Sequence, residues 1–311
     1  MTGVRFIFSR AFQTLAALAV MSFLVYALIG LMPGDPVDLM LAGNPRMTPE
    51  DAARLKELYG LDKPLIERYG HWALSLLGGD AGYSRLYGLP VTEVLVPRLL
   101  NTGVLMGISF LLTLGIAVPM GVFAARRPRS MADKIINVFC LSGMSFPAFW
   151  LALLLISLFS VKLGWLPAGA TRAEVSSLLL PVLTLTAGGL AVYIRHTRSA
   201  MMEALKADHI KTAFAKGCSE SRVVWHHAFR TALPPVVTVL MLDLGGILGG
   251  AVTVETVFAY PGMGKLMFDA VMGNDFNLAL MGFLLLTAFV LLGNFLADVM
   301  QAFLDPRVKM A

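Results

Sequence analysis

Long apolar runs alternate with short polar connections along this 311-residue chain. Six runs approach or exceed the ~20 residues that an α-helix needs to cross the hydrocarbon core of a bilayer. They lie at roughly 11–32, 103–125, 135–161, 178–194, 235–254 and 278–303. These runs are too long and too continuous for the short alternating segments of a β-barrel. The pattern therefore predicts an all-α membrane protein with six transmembrane helices.

The first run follows Arg5 and Arg10, a placement of charge that also suits a secretory signal peptide. Its apolar core is too long for such a peptide, and no small-x-small cleavage site precedes Pro33. We therefore interpret the run as a retained first span.

A longer and more polar segment separates the first two runs. Thr48-Pro49-Glu50-Asp51 has the signature of a helix start, and residues 65–77 are patterned as a second helix. The glycine-rich stretch 78–84 lacks the Gly-Lys-Ser/Thr that closes a phosphate loop, so we expect a tight turn there. The predicted organisation is a first unit at 1–32, a helical external segment at 33–102 and a five-helix core at 103–311.

One connection, residues 195–235, is polar yet patterned as helix. Spacings of three and four residues place six positions along one side of a helix, namely Met202, Leu205, His209, Ile210, Ala213 and Phe214. Gly217 is expected to end that helix in a left-handed turn, and Ser219 to cap a second helix that stops before Pro234-Pro235. The apolar side has no obvious partner inside the chain, so we expect it to lie in a groove of another protein rather than on the membrane surface.

Composition and charge support a membrane protein and predict its orientation. The chain is 57% hydrophobic and 14% charged, and a soluble domain of this length needs more charge. Short connections on one side carry fifteen Lys and Arg residues, against three on the other, Lys162, Arg172 and Lys265. Both termini and the 195–235 connection are therefore expected in the cytoplasm. This topology accounts for the net charge of +5 without nucleic-acid binding.

Few side chains offer candidate chemistry. Cys140 lies in a predicted span and Cys218 in a cytoplasmic connection, so no disulfide framework is expected. The histidines have no adjacent cluster of Cys or carboxylate groups, as a metal site requires, and no nucleophile–base pair suggests an enzyme. Asp243 is the one charge placed centrally in a predicted span, near small residues that let another helix approach closely. It suits a pathway-lining acid or a hydrogen bond across a helix interface, and both interpretations stay open.

Taken together, these motifs resemble the inner-membrane permease subunits of ATP-binding-cassette (ABC) importers, in the branch that carries peptides, nickel and opines. The most specific stretches are 212–217 (Thr-Ala-Phe-Ala-Lys-Gly), 227–235 and 249–258, the last continuing through Tyr260-Pro261-Gly262. Three shorter motifs, 33–36, 59–64 and 305–307, also fit. Phe214 stands where the family often has arginine, Asn277 where it often has proline, and Asp243 where an uncharged polar residue is frequent.

The resemblance implies a fold like that of type I ABC importer permeases and a location in the bacterial inner membrane. It implies four kinds of partner: a second permease subunit, two ATP-binding-cassette ATPase subunits, an external solute-binding protein and the lipid bilayer. The 195–235 connection would then be a coupling loop on which the ATPases dock, through Lys211, Thr212, Ala213, Phe214, Ala215, Lys216, Gly217, His227 and Arg230. No Gly-x4-Gly-Lys-Ser/Thr occurs in the chain, so ATP and Mg are expected on the partner subunits and no cofactor on this one.

The implied activity is ATP-driven import of a small solute by alternating access, with Asp243, Gly246, Gly250 and Glu255 as candidates for the translocation pathway. The expected cargo is a di- or oligopeptide, with a nickel or other metal chelate and an opine as alternatives. A secondary transporter driven by an ion gradient is a rival, although such proteins usually carry more ionisable groups within the membrane. A scaffold or sensor whose loop binds a signalling partner is a third alternative.

Overall fold

The computed structural model describes residues 3–31, 48, 50, 54, 63–170 and 175–304. Regular structure in these residues is helical, apart from an isolated antiparallel bridge between Tyr83 and Pro90. The motifs predicted at 33–36 and 305–307, and most of the motif at 59–64, lie outside the described residues. Glu50 and Arg54 are helical, and the remainder of the helix predicted from residue 48 also lies outside.

The helices are numbered here in chain order. The first five are α1 Gly3–Ile29, α2 Leu65–Leu77, α3 Val91–Arg126, α4 Met131–Ser145 and α5 Ala148–Leu155, which continues as a π-helical segment, Ile156–Lys162. The next are α6 Val175–Ala204, α7 Asp208–Ala215 and the short α8 Glu220–Arg222, which continues as a second π-helical segment, Val223–Ala228. The last are α9 Phe229–Gly250, α10 Val252–Val257, α11 Met263–Met272 and α12 Phe276–Leu304.

Four helices among the described residues are long and apolar enough to cross a membrane. The spans are Arg5–Ile29, Val91–Arg126, Val175–Ala204 and Phe276–Met300, with mean hydropathies between 1.9 and 2.2. They correspond to the first, second, fourth and sixth predicted runs, and the fifth run is divided between α9 and α10. Helix α3 begins at Val91 and α6 ends at Ala204, well beyond the apolar runs that predicted them, because the helical backbone continues into polar sequence.

The third predicted run, 135–161, is broken into α4 and α5, which meet at an angle of 98°. Phe146 and Pro147, between the two helices, both have extended backbone. A proline lacks the N–H that a helix needs and disfavours helical backbone in the residue before it, which explains the break. Pro119 instead lies inside the continuous helix α3.

Helix α6 packs against α3, α4, α5 and α9. Its contact with α3 is close at Gly121, where an added Cβ atom would lie 2.7 Å from Thr197 Cβ and 2.9 Å from the Ile194 carbonyl oxygen. A small residue at such a point lets two spanning helices approach closely. The α3–α6 pair therefore depends on the absence of a side chain at Gly121.

A second packing centre joins the end of the bundle that is predicted to be external. Val91, Val94 and Leu95 of α3 are buried together with residues of α11 and α12. The turn predicted at 78–84 is confirmed, with positive φ angles at Gly79 and Gly82. The helix predicted at 65–77 is confirmed as α2.

Replacing Gly121 with valine should destabilise the protein by about 1–3 kcal/mol, because the added side chain must push α3 and α6 apart. The measurement is the thermal unfolding midpoint of the purified protein in detergent. Gly115→Val is the matched control, since Gly115 lies on the same helix with nothing within 4 Å of an added Cβ atom. Equal midpoints for the two variants would contradict the close contact.

Candidate functional site

The first half of the coupling loop is the short amphipathic helix α7. Its two inward side chains, Ile210 and Ala213, are only 1% and 7% exposed. They pack against Val122 and Ala125 near the C-terminal end of α3, and against Met201 of α6. The expectation that this apolar side has no partner inside the chain is therefore wrong. The partner, the C-terminal end of α3, lies almost 90 residues earlier in the sequence. No pattern within the 195–235 connection reveals it.

The opposite side of α7 forms an exposed ridge, defined here as residues 211, 212 and 214–217. Phe214 is 49% exposed and is the large apolar side chain of the ridge. Lys211 pairs with Asp208 at 2.8 Å, and both side chains are highly exposed, so the pair contributes little to stability. Among the predicted docking residues on α7, Ala213 thus points inward and the others lie at the surface.

Gly217 ends α7 as predicted from the sequence. Its φ is +77°, in the left-handed region that glycine adopts without steric cost. The Gly217 N–H donates to the Phe214 carbonyl oxygen at 2.9 Å, and the Cys218 N–H donates to the Ala213 carbonyl oxygen at 3.2 Å. This pair of bonds is the Schellman motif, which satisfies the free carbonyl groups at a helix end. The backbone conformation at the end of the ridge is therefore well defined.

The second half of the loop begins at Ser219, as the sequence predicts, but the predicted side-chain cap is not the contact that anchors it. Ser219 occupies the N-cap position of α8, yet its side chain makes no capping hydrogen bond. Glu220 instead accepts from the guanidinium of Arg126, the last residue of α3, at 2.6 Å and 3.1 Å. The same guanidinium lowers the pKa of Glu220 below its usual value. This ion pair ties the loop to the end of a spanning helix.

The sequence predicted that the second helix stops before Pro234-Pro235, but in the structure it continues through both prolines. It passes from α8 through the π-helical segment into α9, which contains both prolines. Proline fixes φ near the helical value, so the helix can continue at the cost of the lost hydrogen bonds. Burial of Ala232 and Val236 on either side favours this continuation.

Two more predicted docking residues, His227 and Arg230, lie where this second helix faces α7. A contact of 3.1 Å joins His209 Nε2 to the hydroxyl of Thr231, which itself donates to the His227 carbonyl oxygen. His227 is partly buried and Arg230 is exposed. The two halves of the loop are therefore held to each other as well as to α3.

Sequence reasoning missed a strong anchor at the base of the loop. Arg198, near the end of α6, donates to both carboxylate oxygens of Asp133 at 2.6 Å and 2.9 Å. The Asp133 side chain is 4% exposed and also accepts from the Arg129 N–H and the Asn137 amide. Such a bidentate pair fixes geometry as well as charge. The one signal of this anchor in the sequence is Ser130, three residues before Asp133. The Ser130 side chain caps α4.

The pathway candidates separate into two groups. Asp243, Gly246 and Gly250 lie on α9, and the Asp243 side chain is exposed. Asp243 stays a candidate for either of the two roles predicted from the sequence, a pathway-lining acid or a hydrogen bond across a helix interface.

Glu255 lies in a different environment, on α10 and with no exposed surface. Its carboxylate accepts from the Thr102 hydroxyl at 2.6 Å and from the Lys265 N–H at 3.1 Å. The Thr102 hydroxyl in turn accepts from the Met263 N–H at 2.7 Å. Glu255 therefore clamps the start of α11 to α3. This placement gives it a structural role in the chain.

The neighbouring Asn101 was also missed as a structural residue. The Asn101 side-chain amide donates to the Pro261 carbonyl oxygen at 2.7 Å. The backbone carbonyl oxygen of Asn101 accepts from the Tyr260 hydroxyl at 2.9 Å. The Tyr260-Pro261-Gly262 stretch quoted for the family resemblance is thus, in this chain, a turn fastened to α3. The only signal of this structural role in the sequence was the polar pair Asn101-Thr102 at the start of an apolar run.

A second clamp holds the external turn at 82–90. The buried Asp275, between α11 and α12, accepts from the Ser84 hydroxyl at 2.5 Å and from the Leu86 N–H at 3.0 Å. The Arg85 guanidinium donates to the Gly273 carbonyl oxygen, and the Asn277 amide donates to the Tyr83 carbonyl oxygen at 3.2 Å. The predicted turn is therefore fixed against the end of the bundle.

Comparison with known protein families identifies two matching regions. The family described as "Binding-protein-dependent transport system inner membrane component" matches residues 117–310. The family described as "Binding-prot-dependent transport system membrane comp, N-term" matches residues 3–85. Together they cover most of the chain, including the coupling loop.

Curated relatives match over almost the whole chain. The oligopeptide transport system permease protein AppB of Bacillus subtilis is 35% identical over 98% of this chain and 99% of its own. The di/tripeptide permease DppB of Pseudomonas aeruginosa is 37% identical over 93% of this chain and 94% of its own. The dipeptide permease DppB of Escherichia coli is 32% identical over 98% of this chain and 99% of its own.

Solved structures of the MetNI methionine ABC transporter in inward-facing conformations share the fold. They align with a TM-score of 0.57 at 21% sequence identity, over 70% of this chain and 98% of theirs. At this identity the likeness concerns the fold alone. It agrees with the fold class that the sequence predicted, a bundle like that of type I importer permeases.

Glu255→Ala should destabilise the chain by about 3 kcal/mol, because it leaves the buried Thr102 hydroxyl and the Lys265 N–H without their acceptor. The measurement is the thermal unfolding midpoint in detergent. Glu93→Ala, an exposed acid on α3, is the control and should stay within about 0.5 kcal/mol of wild type. An unchanged midpoint for Glu255→Ala would contradict the clamp and favour a role in the pathway.

Proposed function

The chain belongs to the family of binding-protein-dependent transport system inner membrane components, and from this premise we propose that it is the permease half of an ATP-driven importer. It would act with a second permease subunit, two ATP-binding-cassette ATPase subunits and an external solute-binding protein. The family membership carries this proposal. The exposed ridge, residues 211, 212 and 214–217, is the structural feature that fits it best, because α7 is packed on the spanning helices.

Coupling would follow from how the loop is attached. Helix α7 is packed on α3 and α6 through Ile210 and Ala213, and Glu220 ties the next turn to Arg126. A force applied to the ridge therefore moves α3 and α6 without first bending the loop. ATP-driven closure of the ATPase subunits would in this way rock the spans between inward-open and outward-open states.

We propose a di- or oligopeptide as the cargo. The relatives from Bacillus subtilis, Pseudomonas aeruginosa and Escherichia coli are named as permeases for oligopeptides, di/tripeptides and dipeptides. A nickel chelate and an opine, which the sequence resemblance also allows, have no such support. Peptide uptake by the assembled complex, measured with the peptides bound by its binding protein, tests this choice.

The proposed topology has six spans in the bacterial inner membrane, with both termini and the coupling loop in the cytoplasm and the 33–102 segment outside. The excess of Lys and Arg on one side supports this orientation. ATP and Mg would be bound by the ATPase subunits, and this chain would contribute no cofactor site. Labelling of single cysteines introduced at Lys216 and Tyr83 from either side of the membrane tests the orientation.

The energy source separates this proposal from an ion-gradient-driven transporter. Uptake should stop when ATP is removed while the ion gradients are kept. Uptake that persists under those conditions would instead support the secondary transporter. Co-purification of ATPase subunits with this chain distinguishes both from a scaffold or sensor without transport.

Gly217→Pro should uncouple ATP hydrolysis from uptake while the subunit remains inserted in the membrane. Proline cannot adopt the φ of +77° found at Gly217 and removes the N–H that closes the end of α7. Gly217→Asn is the control, because asparagine tolerates the left-handed region. ATP hydrolysis and peptide uptake are measured together in proteoliposomes, and normal uptake by the proline variant would contradict coupling through the ridge.

Phe214→Ala should weaken the binding of the ATPase subunits by about 2 kcal/mol, a roughly 30-fold loss of affinity, because an aromatic anchor is removed from the ridge. Leu74→Ala is the control, since Leu74 is 70% exposed on a helix predicted to lie on the other side of the membrane. Affinity is measured by titrating purified ATPase subunits onto the reconstituted permease. Equal effects of the two substitutions would exclude Phe214 as an anchor.

A further inference from the structure

An apolar groove of about 620 Å³ lies between four helices, α1, α2, α3 and α12. Its volume falls within the range of small-molecule sites, roughly 300–1,000 Å³. None of the described residues that line it is charged. The hydroxyls of Ser22 and Tyr69, which are part of its wall, are hydrogen-bonded to each other at 2.7 Å. A groove of this composition suits a hydrocarbon chain.

The helices around the groove are those that membrane lipid reaches. Helices α1, α3 and α12 are long and apolar enough to span a membrane, and the α1 span has the smallest buried share of the four spans, 11% against 28–44%. Helix α2 carries Ile66, Leu74 and Leu77, which are 76%, 70% and 86% exposed. Apolar side chains exposed in this way are typical of a helix that lies in a membrane interface.

Aromatic rings mark the end of the groove that is nearest to the end of α1. Phe23 and Tyr26 of α1 pack with Tyr69 and Trp72 of α2, with ring centroids 5.2–5.8 Å apart. Tyr and Trp are enriched where the hydrocarbon core of a membrane meets the head groups. On α1 the groove is lined by residues between 15 and 22, so it extends from these rings towards the middle of the span.

A positive charge lies beyond the rings. Arg68 immediately precedes Tyr69 on α2, and one of its guanidinium nitrogens is 4.0 Å from the position that a Cβ atom at Gly30 would occupy. Gly30 directly follows the last residue of α1, about 12 Å of helix beyond Ser22. Arg68 therefore stands at the level of the head groups, while the groove lies at the level of the acyl chains.

The guanidinium of Arg68 is not satisfied within the described part of the chain. Its Nε atom is buried and has no hydrogen-bond partner there. The adjacent carboxylate, that of Glu67, is paired with Lys63 at 2.8 Å. A buried donor without an acceptor is unfavourable, and Arg68 as a whole is only partly buried. An anionic group from outside the chain can therefore reach it and supply the missing acceptor.

We propose that the groove holds an acyl chain of a phospholipid whose phosphate group binds Arg68. Guanidinium groups bind phosphate groups through paired hydrogen bonds, and the acyl chain continues from the phosphate into the apolar groove. A lipid bound there bridges α1 and α2 to α3 and α12. In the proposed orientation it belongs to the outer leaflet. The inference requires only that the chain lies in a membrane, so it depends neither on the cargo nor on the energy source.

The test uses the full-length protein, purified in detergent with the subunits that accompany it and stripped of its own lipid. Dioleoylphosphatidylglycerol and dioleoylglycerol, which has the same chains without the phosphate, are titrated and their binding is followed by native mass spectrometry. The wild type should bind one phosphatidylglycerol per chain. It should bind this lipid roughly fivefold more tightly than dioleoylglycerol, as expected for one basic side chain at an anionic lipid group.

Arg68→Gln tests the phosphate contact. This variant should bind the two probes alike, because it loses the charge and keeps the groove. Lys162→Gln is the matched control, since it removes an exposed positive charge predicted to lie on the same side of the membrane and does not line the groove. The control should keep the full preference for phosphatidylglycerol.

Ala19→Trp tests the groove itself. The indole should fill the space and abolish saturable binding of both probes, and the smaller Ala19→Leu should weaken the binding of both. Ala16→Trp is the matched control, because Ala16 is also exposed on α1 but does not line the groove. It should bind both probes as the wild type does. Gel filtration of each variant confirms that it assembles.

Each other outcome overturns the inference. Absence of saturable binding by the wild type, equal binding of the two probes, or an undiminished preference in Arg68→Gln excludes a phosphate site at Arg68. Unchanged binding in both Ala19 variants excludes the groove. A benzophenone attached at Ala19→Cys that crosslinks to protein instead of to added phosphatidylglycerol assigns the groove to a protein partner.

The proposed function is tested separately, by ATP-dependent peptide uptake in proteoliposomes supplied with the binding protein. Uptake by a protein that binds no lipid in the groove refutes only the lipid site. Absence of ATP-dependent uptake, with the lipid preference intact, refutes only the proposed function.

Discussion

The burial of Ile210 and Ala213 against the end of α3 is the contact on which the proposed mechanism depends. An isolated helix of eight residues is not stable in water, so α7 persists because its apolar side is covered by the chain itself. The same contact leaves the other side of α7 exposed and rigidly placed. Packing inside the subunit and the proposed docking outside it would therefore both follow from one amphipathic pattern.

Charged groups reinforce this arrangement where the helices meet polar surroundings. Arg126 holds Glu220 at the surface, and Asp133 holds Arg198 in a half-buried position. At the opposite end, buried Glu255 and Asp275 bind backbone N–H groups and hydroxyls that would otherwise lack partners. Both ends of the bundle are thus fastened by carboxylate groups, and close packing at Gly121 adds to the hold at the end that carries the coupling loop.

In the proposed mechanism, a push on the coupling loop would reach α3 and α6 directly. Helix α3 also carries Thr102, which binds Glu255 near the external turn. Movement at one end would therefore be transmitted along α3 to the other end.

The sequence by itself determined the helical class, most of the spans, helix 65–77 and the turn at Gly217, because hydropathy, periodicity and glycine chemistry are local properties. It also carried the family resemblance. Only the tertiary structure decided that α7 packs on α3, that the helix continues through Pro234-Pro235, and that Glu255 is buried against Thr102 and the start of α11. Each of these depends on contacts between residues far apart in the chain, and a local pattern contains no information about which distant surface will cover it.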